Sequence, residues 1–106
     1  MVKNILTNAG FEEGKTFKET RFLKPPKTTY CIYLDSYERR GGDTVNLIKD
    51  HTYTIELYSY EPDPDAEANI EKQFDLLAIS YDKEERYWIN EAQLYQTIYT
   101  FNFIEK

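Results

Sequence analysis

Two stretches of this chain alternate with a period of two, the spacing of a β-strand that buries one face. In His51–Tyr60, His51, Tyr53, Ile55 and Leu57 point one way and Thr52, Thr54, Glu56 and Tyr58 the other. In Leu94–Ile104, Leu94, Gln96, Ile98, Thr100 and Asn102 alternate with Tyr95, Thr97, Tyr99, Phe101 and Phe103. A chain carrying two such segments has to build a sheet. A further strand is expected at Thr28–Leu34, dense in β-branched and aromatic residues. Its two faces are both apolar or aromatic (Tyr30, Ile32 and Leu34 against Cys31 and Tyr33), which predicts a central position. Glu85–Asn90 also reads as a strand, with Glu91-Ala92-Gln93 as the bend into the last one.

Between these strands lies a helix with explicit start signals. Asp63 suits the cap, Pro64 the first helical position, and Asp65 and Glu67 complement the helix dipole. Ala66, Ile70, Phe74 and Leu77 recur at helical spacing, which predicts one amphipathic helix over about 64–79. A shorter helix is expected at Val2–Ala9, with Val2, Ile5, Leu6 and Ala9 on one side and Gly10 as its stop. Two turns are marginal alone, so this helix has to pack on the body. Residues 11–27 are polar and basic and end in Lys24-Pro25-Pro26-Lys27, a pair of prolines that excludes a ladder or helix there. Phe17, Phe22 and Leu23 suggest that this segment lies on the body. Asp35–Asp50 is expected as a loop with the glycine pair of Arg39-Arg-Gly-Gly-Asp43 at its tip, and Val45, Leu47 and Ile48 as a short returning strand. Tyr81–Glu85 is expected as a charged turn. These elements predict an α+β fold, a mostly antiparallel sheet of four or five strands with the main helix and the short N-terminal helix packed on it, in a single domain over residues 1–106.

The residues that usually carry chemistry are scarce. One cysteine, Cys31, excludes an internal disulfide, and with the single His51 it leaves no soft-ligand zinc set. His51 opens a strand on the Tyr53–Ile55 face, where an imidazole is a packing residue, and Cys31 lies mid-strand with no basic neighbour in sequence. Asp63, Asp65, Glu67 and Glu71 have the spacing of a capped helix and match no EF-hand or P-loop pattern. No catalytic residue, cofactor-binding residue or metal ligand is therefore assigned, and the chain is expected not to be an enzyme. No stretch reaches the roughly 18 apolar residues of a membrane span. Met1–Ala9 lacks the form of a signal peptide, so the expectation is a soluble, cytosolic domain.

Tyrosine and charge are the informative excesses. Ten Tyr, six Phe and one Trp make 16% of the 106 residues, which excludes disorder. Aromatic pairs across strands stabilise sheets, and tyrosine is also enriched where protein meets protein. More tyrosines occur here than a core of this size can hide with every hydroxyl satisfied, which favours a protein partner. Tyr58, Tyr60, Tyr95 and Tyr99 are the candidate contact residues. The net charge of −6 disfavours a general duplex-DNA binder. Residues 1–49 hold nine Lys/Arg against six Asp/Glu, whereas residues 50–106 hold four against thirteen. Local surface bias explains this in one reading. In the other, faces of opposite sign let copies pack head to tail, and such a contact closes into a ring where the rotation permits.

Tyr30-Cys-Ile-Tyr-Leu34, Gly42-Asp43, Tyr53-Thr-Ile-Glu-Leu-Tyr58, the helix with Glu71, Tyr87-Trp-Ile-Asn-Glu91 and Leu94–Phe101 follow in this order. Over about residues 28–103 that succession resembles the small tail-completion proteins (tail terminators, also called head–tail joining or minor tail proteins) of long-tailed phages and prophages of Gram-positive bacteria. Members usually begin with a longer amphipathic helix than Val2–Ala9. The resemblance implies a structural virion protein assembled in the host cytoplasm. It implies a ring, typically a hexamer, that caps the head-proximal end of the tail tube and joins it to the head connector. Its partners would be copies of itself, the tail tube protein and the head connector protein, with no membrane, and DNA would pass through without specific binding. An acidic lumen suits that passage, because like charge disfavours phosphate adhesion. The Asp35–Asp50 loop, with Arg39, Arg40 and Asp43, is expected to project toward neighbouring subunits, tube or connector. The alternative is a small phage or bacterial binding module that sequesters a host protein through its tyrosine-rich surface.

Overall fold

The alternation of residues 51–58 becomes the middle of strand β3 (Ile48–Ser59), which lies between β2 (Tyr30–Arg40) and β6 (Leu94–Glu105). The structure, a computed structural model, describes residues 1–40 and 48–105, with side chains for 1–36 and 51–103. Three short strands complete the sheet: β1 (Phe17–Glu19), β4 (Tyr81–Lys83) and β5 (Tyr87–Ile89). Among the described residues the sheet has six strands in the order β1-β2-β3-β6-β4, with β5 also pairing β6. Only β1 and β2 run parallel; the other pairs are antiparallel. The fold is α+β with a mostly antiparallel sheet.

The register stacks inward residues in rows. Ile55 lies opposite Tyr33 on one side and Tyr99 on the other, and Leu57 opposite Cys31 and Thr97. Helices α1 (Val2–Asn8) and α2 (Pro64–Leu76) cover this face and bring Val2, Ile5, Leu6, Ile70 and Phe74 into one core with it. Ile70 and Phe74 are completely buried, each contributing about 1.5–3 kcal/mol of apolar transfer. The opposite, outer face holds a smaller cluster of Tyr30, Ile32 and Leu94, flanked by Phe22 and Tyr58.

The helix boundaries follow from capping. The Asp63 carboxylate accepts from the Ala66 N–H at 3.1 Å and from the Thr29 hydroxyl at 2.7 Å, with Pro64 in the first turn. The helix stops at Leu76 rather than near Ile79. Ala78 turns to φ 55°, its N–H bonds the Asp75 carbonyl, and the Ile79 N–H reaches back to the Phe74 carbonyl at 2.9 Å. This closure satisfies the last carbonyls and returns Ile79 to the core. Helix α1 ends the same way, with Gly10 at φ 103° and the Phe11 N–H on the Leu6 carbonyl at 3.0 Å.

Three expectations need correction. The sheet has six strands rather than four or five, because β1 and β4 pair with flanks that β2 and β6 leave open; the Tyr81–Glu85 turn is therefore partly strand. Residues 35–40 and 48–50, expected as parts of a loop, are strand. The β2–β3 ladder continues to the Arg40–Ile48 pair, since no residue before Gly41 interrupts it. The turn expected at Gly42-Asp43, and Val45 and Leu47 of the expected returning strand, lie outside the described residues. Finally, Leu23 does not pack on the body: it is 82% exposed, while Phe17 is buried and Phe22 half-buried.

Candidate functional site

The sequence-derived contact tyrosines divide between the two faces of the sheet. Tyr58 stacks on Tyr30 with ring centroids 5.1 Å apart, and Phe22 meets Tyr30 edge-on at 5.6 Å. The Tyr58 hydroxyl donates to Glu56 at 2.9 Å and accepts from the Gln96 amide at 2.9 Å. Burial and the Glu56 carboxylate push it up to about 12. Tyr60, 45% exposed, donates its hydroxyl to the Pro26 carbonyl at 2.8 Å. Both residues thus anchor the connection between β1 and β2, which crosses back over the outer face.

Tyr95 and Tyr99 share the opposite parity on β6. Tyr95 is half-buried, its ring 4.8 Å from Trp88. Tyr99 is completely buried and donates to Glu71 at 2.7 Å. Burial and the neighbouring Glu71 push its hydroxyl far above the usual range. Tyr99 is thus a core residue and offers no surface to a partner in this monomer. The alternation that groups Tyr99 with Thr97 and Phe101 was readable from the sequence, but which parity the helices cover was not. Arg39 and Arg40 end β2, opposite Lys49 and Ile48 on β3, and Asp43 lies outside the described residues.

Glu67 ties the main helix to the far edge of the sheet. Its Oε2 accepts from Arg86 Nε at 2.9 Å and Nη2 at 2.8 Å, and Lys83 Nζ lies 2.9 Å from Oε1. Lys83 also bonds Glu71 at 2.7 Å. Burial pushes the Glu67 carboxyl up, but the Lys83 and Arg86 hydrogen bonds outweigh it and hold it below its usual range. Among the described residues no group of three or more His, Cys, Asp and Glu is placed to hold a metal ion. The His51 ring is buried beside Tyr53, its Nδ1 2.8 Å from the Asp35 carboxylate. Cys31 is fully buried, and burial pushes its thiol well up, which opposes thiolate chemistry.

Leu77, expected on the helix stripe, is 48% exposed because α2 ends at Leu76, and three exposed apolar side chains of short segments also escaped the periodicity. Leu23 stands out of the β1–β2 connection, and Tyr87 and Trp88, 64% and 39% exposed, lie on β5. Neither segment is long enough to show a period. The usable signal was composition: Phe22-Leu23 lies between two cations, and Tyr87-Trp88 follows the charged stretch Asp82–Arg86. No family model matches the chain, and no curated protein matches it.

Proposed function

We propose that this protein is a structural ring subunit that caps the head-proximal end of a phage tail tube and joins it to the head connector. The observation that carries this reading is the order of elements. Strands β2 and β3, the amphipathic helix, the short strands β4 and β5 and the long final strand come in the order on which the resemblance to tail-completion proteins rests. The sheet also separates charge, with a basic connection after β1 and a carboxylate-rich edge at β4 and β5. A subunit with unlike edges suits a head-to-tail ring. Tyr58, Tyr60 and Tyr95, with Arg39, Arg40 and Asp43, are the proposed contacts with tube, connector or neighbouring subunits.

Deleting the gene from the phage or prophage that encodes it tests this. Electron microscopy should show tails of abnormal length beside filled, unattached heads. Normal virions after deletion would refute the reading.

A further inference from the structure

Two surfaces, the connection that crosses the outer face between β1 and β2 and the β4–β5 edge, are complementary in charge and both expose apolar surface. On the connection, Phe22, Pro26 and Thr29 are anchored to Tyr30, Tyr60 and Asp63. Leu23, between Arg21 and Lys24, is left 82% exposed. Lys18 and Lys27 flank them, and none of these four exposed cations has an ion-pair partner among the described residues. Glu19 is the one carboxylate between residues 18 and 29.

The β4–β5 edge inverts this pattern. Tyr87 and Trp88, consecutive on edge strand β5, project to its two faces, with Tyr95 behind Trp88. Asp82, Glu84, Glu85 and Glu91, all exposed, flank them along the chain on β4, in the β4–β5 connection and just after β5. The edge's own cations, Lys83 and Arg86, are already neutralised by Glu67 and Glu71. Its four carboxylates therefore remain unbalanced. Among the described residues no ion pair joins the cations of the connection to these carboxylates, so the molecule leaves both surfaces open.

We infer that the occupant of each surface is a second copy of this chain. The Leu23 connection of one copy docks on the Tyr87–Trp88 edge of the next. Exposed ion pairs contribute little affinity, so the charged rims set orientation while leucine on aromatic rings supplies the burial. The contact is heterologous, and it leaves one surface of each kind free to continue the chain or close a ring. This rests on the ring-subunit reading above and names the contact that builds the ring.

Sedimentation velocity of the purified chain at low salt, from about 10 μM to 1 mM, reads the contact directly. Wild type should self-associate with concentration. R21E/K24E makes the connection acidic and E84K/E85K makes the edge basic, so each variant alone should be monomeric. An equimolar mixture should associate again, because each reversed surface now meets its complement. That rescue cannot arise from misfolding. L23S should weaken association at least tenfold with an unchanged circular dichroism spectrum. Monomeric wild type throughout, a charge variant or L23S that associates as wild type does, or a mixture that stays monomeric would each overturn the inference. These readouts use the chain alone, so their failure leaves tail capping open. Normal tails after gene deletion would instead refute capping and leave the contact intact.

Discussion

Glu67→Gln tests how the carboxylate-rich edge is held to the body. Glu67 is 8% exposed, and the substitution preserves its size while removing its charge. Lys83 keeps Glu71 at 2.7 Å, so the loss falls on the two-pronged contact from Arg86. Hydrogen bonds to charged groups contribute about 1.5–3 kcal/mol each, but two bonds from one guanidinium to one oxygen do not add in full. The Arg86 side chain is also 34% exposed, so water replaces part of the interaction. The expected loss is about 2 kcal/mol in total, or about 8 °C in Tm for a domain of this size. Urea unfolding followed by the fluorescence of Trp88, the one tryptophan and two residues from Arg86, measures it. The effect has a pH signature. A carboxyl held below its usual 4.5 contributes stability that is present above that value and is lost as pH falls through the folded-state value. The gap between wild type and E67Q should therefore be full at neutral pH and close in acid. A loss below about 0.5 kcal/mol at pH 7, the size of an ordinary surface change, would refute this reasoning, as would a gap unchanged in acid.

Gly10→Ala should lose about 1 kcal/mol in denaturant unfolding, because φ 103° strains a side chain even though nothing lies within 4 Å of the new methyl. Ala78→Gly, at φ 55° in the matching closure of α2, should gain about 0.5–1 kcal/mol in the same assay. Phe74→Ala should lose about 3–5 kcal/mol, since Phe74 is completely buried with Tyr81 at 4.5 Å and Phe101 at 5.0 Å. The Tyr58 hydroxyl, pushed up from 10 to about 12, contributes stability that is full below pH 10 and lost as pH rises through 12. Tyr58→Phe should flatten that alkaline decline in urea midpoints taken on either side of pH 10.

Features confined to a few consecutive residues are legible in the sequence. The parity of residues 51–57 and 94–103, the cap at Asp63-Pro64 and the stripe Val2, Ile5, Leu6 all take the form that their spacing predicts. Each depends on local backbone geometry, which neighbouring side chains report directly. The three-residue strands β1 and β4 could not be read this way. They exist because β2 and β6 leave flanks unpaired, and three residues carry no period. The extension of β2 through Arg40 was hidden for a related reason: its charged residues look like a loop, yet the ladder to β3 satisfies their backbone groups.

The same distinction governs the surfaces. Local sequence determined that the chain has more tyrosine than ordinary packing uses, a basic front half and an acidic back half. Tertiary structure decided that Tyr99 is core while Tyr60 remains half-exposed, because the helices cover only one face of the sheet. It also decided that the cations lie on a connection anchored over the outer face and the carboxylates along the β4–β5 edge, because strand pairing, rather than position along the chain, sets where each segment ends up.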